Sequence, residues 1–155
     1  MAPLLVLAAG WLLLRAGGRL GVKQLSSWRS AGRGASAGMF MFTGATHFSP
    51  MKHDYAAMIP EPLPKSLPLI YLTGLLQIAG AIGLLVPPLR RLAGVGLATQ
   101  LVAMFPANVY AARKGIPFRG RPPTPLPVRA LVQLAFIVAV WWTAIVDRPE
   151  GHPGG

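Results

Sequence analysis

The histidine near the end of the segment MFMFTGATHF, His47, is followed closely by Ser49, His53 and Asp54. These residue types can do acid–base or nucleophilic work, and together they hold the letters of a hydrolase triad. The spacing argues against one. Ser49 precedes Pro50 in the arrangement of a helix N-cap, a capping hydroxyl is committed to the backbone, and no G-x-S-x-G turn accompanies it. A dedicated metal site fares no better, since three histidines and four acidic residues fall into no H-E-x-x-H or C-x-x-C pattern. The chain has no cysteine, which removes disulfides, thiolate catalysis and cysteine-ligated iron–sulfur or zinc sites together. Redox chemistry would need a bound cofactor or a partner.

Further polar side chains recur at helical spacing inside apolar runs. Thr43 precedes His47 by one turn, Tyr71, Thr73 and Gln77 descend a second run, Gln100, Met104 and Asn108 climb a third, and Arg129 and Gln133 repeat the spacing in a fourth. In a bilayer an unsatisfied polar group costs several kcal/mol, so each must find a partner or a ligand. The expected ligand-binding set is His47, Thr43, Tyr71, Gln77, Gln100, Asn108 and Gln133. Two readings stay open for Gln77, Gln100 and Gln133: interhelical hydrogen bonds, worth about 0.6 kcal/mol on average, or the lining of a pocket. His47 has three: an interfacial residue bonded to a neighbouring helix, a contact to a ligand such as a quinone, or a metal ligand. His53 with Asp54 reads as a solvated loop face rather than a dyad.

The elements that must position these groups follow from composition. Of 155 residues 53% are hydrophobic and only 12% charged, against about 25% charged in a soluble domain, and mean hydropathy is +0.50. The net charge of +11 admits a nucleic-acid binder, but the basic residues flank apolar runs, as residues that anchor and orient membrane spans do. Ser66–Val86 and Leu92–Ala112 are uncharged and match the ~20 helical residues that a bilayer core needs. Leu126–Val146 is similar apart from Arg129, whose long side chain can snorkel to the interface. The run from Ser30 to Phe48, rich in Gly, Ala and Ser, suits a helix packed closely by its neighbours.

The N-terminal stretch (1–25) lacks the basic start and cleavage site of a signal peptide, and is expected as a fifth span or an interfacial helix. Proline-rich connections separate the helices, Gly115 reads as a helix C-cap after Arg113 and Lys114, and residues 147–155 are expected to be a disordered tail. Alternation then places Arg15–Arg33, Pro87–Arg91 and the C-terminus on one side, taken as cytoplasmic, and Ser49–Lys65 and Arg113–Pro125 on the other. The polar residues gather in the half nearer the second side. Gly80, Gly83, Gly94 and Gly96 in the other half predict close helix packing there, and Pro106 leaves the Val102 carbonyl without its helical donor. Ser49 as N-cap, Pro50, and Met51, Tyr55, Met58 and Ile59 on one face predict a short interfacial helix covering the polar end.

The segments MFMFTGATHF, MIPEPLP, LIYLTGLLQIAGAIGLLVPPLRRLAGVGLA and LVAMFPANVYAARKG resemble the DoxX-like family of small bacterial membrane proteins, over roughly residues 30–146. The resemblance implies an all-α, polytopic membrane helix bundle, a four-helix DoxX-like core to which the N-terminal helix is added, giving four or five transmembrane spans in the bacterial inner membrane. It also implies a non-catalytic membrane subunit or anchor of a redox or detoxification assembly, with the lipid bilayer around it and a quinone or a soluble oxidoreductase as partner; His47 would donate a hydrogen bond to a quinone carbonyl. One departure is Gln77, where the family pattern implies a glutamate. An amide cannot relay a proton near neutral pH. The alternative is a small-molecule binding, transport-type or purely structural membrane protein.

Overall fold

The computed structural model describes residues 2–61 and 63–146, and every regular element among them is helical. In chain order the main ones are α1 (Ala2–Arg19), α2 (Trp28–Thr46), the short α3 (Lys52–Ala57), α4 (Leu67–Leu85), α5 (Arg90–Lys114) and α6 (Leu126–Val140), which runs on as a π-helical turn over Trp141–Ile145; single 3-10 turns at Lys23–Leu25 and Pro87–Leu89 precede α2 and α5. The tail expected at 147–155 lies outside the described residues. Gly115 closes α5 in the left-handed conformation, at φ 67°, the role read for it from sequence.

Three helical stretches are long and apolar enough to cross a membrane: Leu67–Leu85, Pro87–Lys114 and Leu126–Ile145. Leu84, Leu97 and Val140 are buried in the protein, but Leu72, Leu75, Leu92, Val102, Leu131 and Val138 face outward as lipid-facing side chains do. Helices α1 and α2, of 18 and 19 residues, are not among the three; α1 carries Arg15 and Arg19, and α2 carries Arg29 and Arg33. Helix α2 is instead the centre of the bundle. It packs against α1, α4, α6 and the π turn, with Ala31, Ala35, Met39 and Phe40 buried.

Small residues set how closely the helices meet. A methyl placed on Gly80 would lie 2.6 Å from Leu97, so α4 and α5 touch there as expected. Gly96 corrects the expectation: nothing lies within 4 Å of such a methyl, and it borders an open groove. The polar half is tightly packed too, because α2 and α4 cross at Gly44 and Gly74. A methyl on Gly74 would lie 2.6 Å from Cβ of His47 and 2.9 Å from the Gly44 carbonyl.

The far side is closed by arginines. Arg29 Nη1 donates to the Val146 carbonyl at 3.0 Å and Arg33 Nη1 to the Thr143 carbonyl at 3.2 Å, so one face of α2 meets the carbonyl-rich, partly negative end of α6. Trp11 packs on Trp142, with ring centroids 5.8 Å apart. The start of α2 and the end of α6 therefore share one side of the bundle, in agreement with the expected alternation.

Candidate functional site

His47 is the C-cap residue of α2, held between the α2–α4 crossing and α3, and only 2% exposed. Its Nδ1 lies 2.9 Å from the Thr43 carbonyl. A carbonyl can only accept, so Nδ1 carries the hydrogen and Nε2 of the neutral ring is left as an acceptor. Thr46 Oγ1 also donates to the Thr43 carbonyl, which spends its hydrogen, so the 2.8 Å contact between Thr46 Oγ1 and the Tyr55 hydroxyl has Tyr55 as donor. Tyr55 stacks on His47, centroids 4.3 Å apart and planes 8° from parallel. Burial pushes the Tyr55 phenol above its usual range; Asp54 reinforces this and Arg119 opposes it.

The cap expected at Ser49 is altered. The Ser49 hydroxyl donates to the Thr46 carbonyl at 2.6 Å and accepts from the Met51 amide at 3.2 Å, and regular helix begins only at Lys52. Helix α3 is thus shorter than the predicted Ser49–Ile59 element, yet Tyr55, Met58 and Ile59 still face the bundle. Lys52 Nζ donates to the Tyr71 hydroxyl at 3.0 Å, and Asp54 Oδ2 accepts from the Arg119 amide at 3.2 Å. His53 is exposed, as a solvated loop face requires.

A cavity of about 480 Å³ lies below α3, between α4 and α5. His47, Gln100 and Asn108 from the expected set line it, with Tyr55, Met58 and Thr73. Below it runs a groove of about 430 Å³ between α4 and α5, and the two share Leu76, Gly96 and Gln100. The open space at Gly96 is what joins them.

The remaining expected residues lie elsewhere. Thr43 and Gln77 spend their polar groups between helices: Thr43 Oγ1 donates to Gln77 Oε1 at 2.9 Å, and Gln77 Nε2 sits 3.8 Å from Met104 Sδ. Tyr71 stacks on Phe48, centroids 5.6 Å apart, away from the cavity lining. Gln133 donates to the Leu101 carbonyl at 2.8 Å, next to the residue that Pro106 deprives of a donor. Gln100 Nε2 donates to the Thr73 carbonyl at 2.8 Å, which leaves its Oε1 and a second N–H of the amide.

Arg129 is the polar group that sequence reasoning misplaced. Its guanidinium turns inward, Nη1 donating to Asn108 Oδ1 at 2.9 Å and Nε to the Thr124 carbonyl at 3.0 Å. Asn108 in turn donates to Gln133 Oε1 at 3.3 Å. The helical spacing of Arg129 and Gln133 signalled a shared face, but not that α5 would offer Asn108 opposite it.

Among the described residues no group of three or more His, Cys, Asp or Glu side chains could hold a metal ion. No curated protein and no solved structure matches the chain. A family model does match, over residues 36–146, which takes in the cavity and leaves α1 outside. The chain belongs to the family described as Domain of unknown function (DUF8561).

Proposed function

We propose that the protein is a non-catalytic, multi-pass membrane subunit that holds a hydroxyl-headed amphiphile of the quinol type in the α4–α5 cavity, as part of a redox assembly. The observation that carries this reading is the joining, through Leu76, Gly96 and Gln100, of a polar-ended cavity to an apolar groove along the same two helices. A ring with a long apolar tail fits that combination: the head against His47 and Gln100, the tail along Gly96 and Leu92. The His47 ring presents an acceptor to the cavity, Nε2, since its one N–H is already given to the Thr43 carbonyl, while Gln100 offers Oε1 and the second N–H of its amide. The His47 acceptor favours the reduced, hydroxyl-bearing form over the oxidised carbonyl form, which reverses the bond direction that the sequence suggested for His47. A bound quinol supplies two electrons and two protons to whatever partner accepts them.

The resemblance to DoxX-like proteins supports a four- or five-span bundle in a bacterial inner membrane and a soluble oxidoreductase as the partner on the α3 side. The test is purification in mild detergent followed by mass spectrometry of extracted lipids and co-purifying proteins. A quinone or quinol near one per chain is the expected result. Its consistent absence from active membranes would favour the structural alternative, in which the buried amides only join helices.

A further inference from the structure

A second pocket, of about 250 Å³, opens on the other side of Tyr55, Met58 and Asn108, where the start of α1 meets α5 and α6. Leu101, Val132 and Phe136 form its apolar wall, and Arg129 is its charged group. A guanidinium has five N–H donors in a planar fork. Two are used within the protein, on Thr124 and Asn108, and three remain, two of them on Nη2. Both partners are neutral, and no carboxylate pairs with Arg129 among the described residues. The Arg129–Asn108–Gln133 chain, ending on the Leu101 carbonyl, fixes the fork in place before any ligand arrives. A half-buried cation beside an apolar wall is costly when unneutralised, and its remaining donors match a carboxylate or a phosphate.

We infer that this pocket binds the anionic head group of an amphiphile, its carboxylate or phosphate oxygens on Arg129 and the first carbons of its chain against Val132 and Phe136. The pocket is separate from the α4–α5 cavity, with Tyr55, Met58 and Asn108 as their common wall, so the two sites stand or fall independently.

Full-length protein in a nonionic detergent is titrated with radiolabelled palmitate, with its neutral methyl ester, and with phosphatidylglycerol. One anionic probe should bind per chain, the methyl ester about tenfold or more weaker, and Arg129→Gln should weaken the anionic probe by a similar factor. Val132→Trp, which fills the pocket and leaves Arg129 in place, should also abolish binding and decides the matter should Arg129→Gln fold poorly. Tighter binding of palmitate identifies a free fatty acid as the source, and tighter binding of phosphatidylglycerol a bilayer lipid. Equal binding of acid and ester, unchanged binding in Arg129→Gln or Val132→Trp, or no binding of either anion overturns the proposal.

Discussion

The rings of His47 and Tyr55 lie face to face, 4.3 Å apart at their centroids, and both bond back to the last turn of α2, His47 to the Thr43 carbonyl and Tyr55 to the Thr46 hydroxyl. The interfacial helix and the end of α2 are thereby locked together over the cavity. Removing only the hydroxyl should cost little: Tyr55→Phe keeps the stack and should lose about 1 kcal/mol. Tyr55→Ala removes the stack and a wall of both pockets, and should cost about 2 kcal/mol or more. Thermal unfolding in detergent, followed by circular dichroism, measures both.

The same phenol predicts a pH dependence. Its folded pKa lies above the unfolded value of about 10, so the folded state favours the neutral form. That contribution is complete below about pH 10 and is lost as pH rises through the folded pKa. Ultraviolet titration of the phenolate should show a tyrosine ionising late, and Tyr55→Phe should remove that step.

Glycine positions should separate packing from access. Gly80→Leu and Gly74→Ala place carbon where Leu97 and His47 already lie, at 2.6 Å in each case, and should lower folded yield by the equivalent of about 1–3 kcal/mol. Gly96→Ala meets nothing within 4 Å, so it should fold as the parent does while narrowing the passage between cavity and groove. Size-exclusion yield, read beside quinol retention, distinguishes the two effects.

The helices were readable from the chain because uncharged runs of bilayer length and proline-rich connections leave few alternatives. Gly115 was readable for the same kind of reason, a local rule with one cheap solution. What the spacing of polar residues could not supply was the neighbour across each helix face. Gln77 found Thr43 and left the cavity, Arg129 found Asn108 rather than water, and Ser49 shared its hydroxyl between the Thr46 carbonyl and the Met51 amide ahead of a shorter helix. Glycine pattern alone also could not separate Gly80, which is in contact, from Gly96, which is not; that depends on the rotation of α5.

The spans and the arginine contacts on the far side give a membrane prediction in two parts. With three helical stretches long and apolar enough to cross a membrane, the protein should stay in the pellet after alkaline carbonate washing, and release into the supernatant would remove the membrane reading. Because Arg29 and Arg33 hold the end of α6, the start of α2 and the end of α6 at Val146 lie on the same side. With that side cytoplasmic, a C-terminal fluorescent fusion should be bright and a C-terminal alkaline phosphatase fusion inactive.

The claim on which the functional reading rests is that His47 accepts a hydrogen bond from a hydroxyl head group in the α4–α5 cavity. The most direct measurement is a paired titration of the purified parent and of His47→Ala with a decyl-substituted benzoquinol and the corresponding benzoquinone under anaerobic conditions. The account predicts that the parent binds the quinol about tenfold more tightly than the quinone, and that His47→Ala folds in comparable yield but loses this preference. Equal affinity of the parent for the two forms, or a His47→Ala variant that binds as the parent does and only unfolds earlier, would contradict it and make His47 a structural hydrogen-bonding residue.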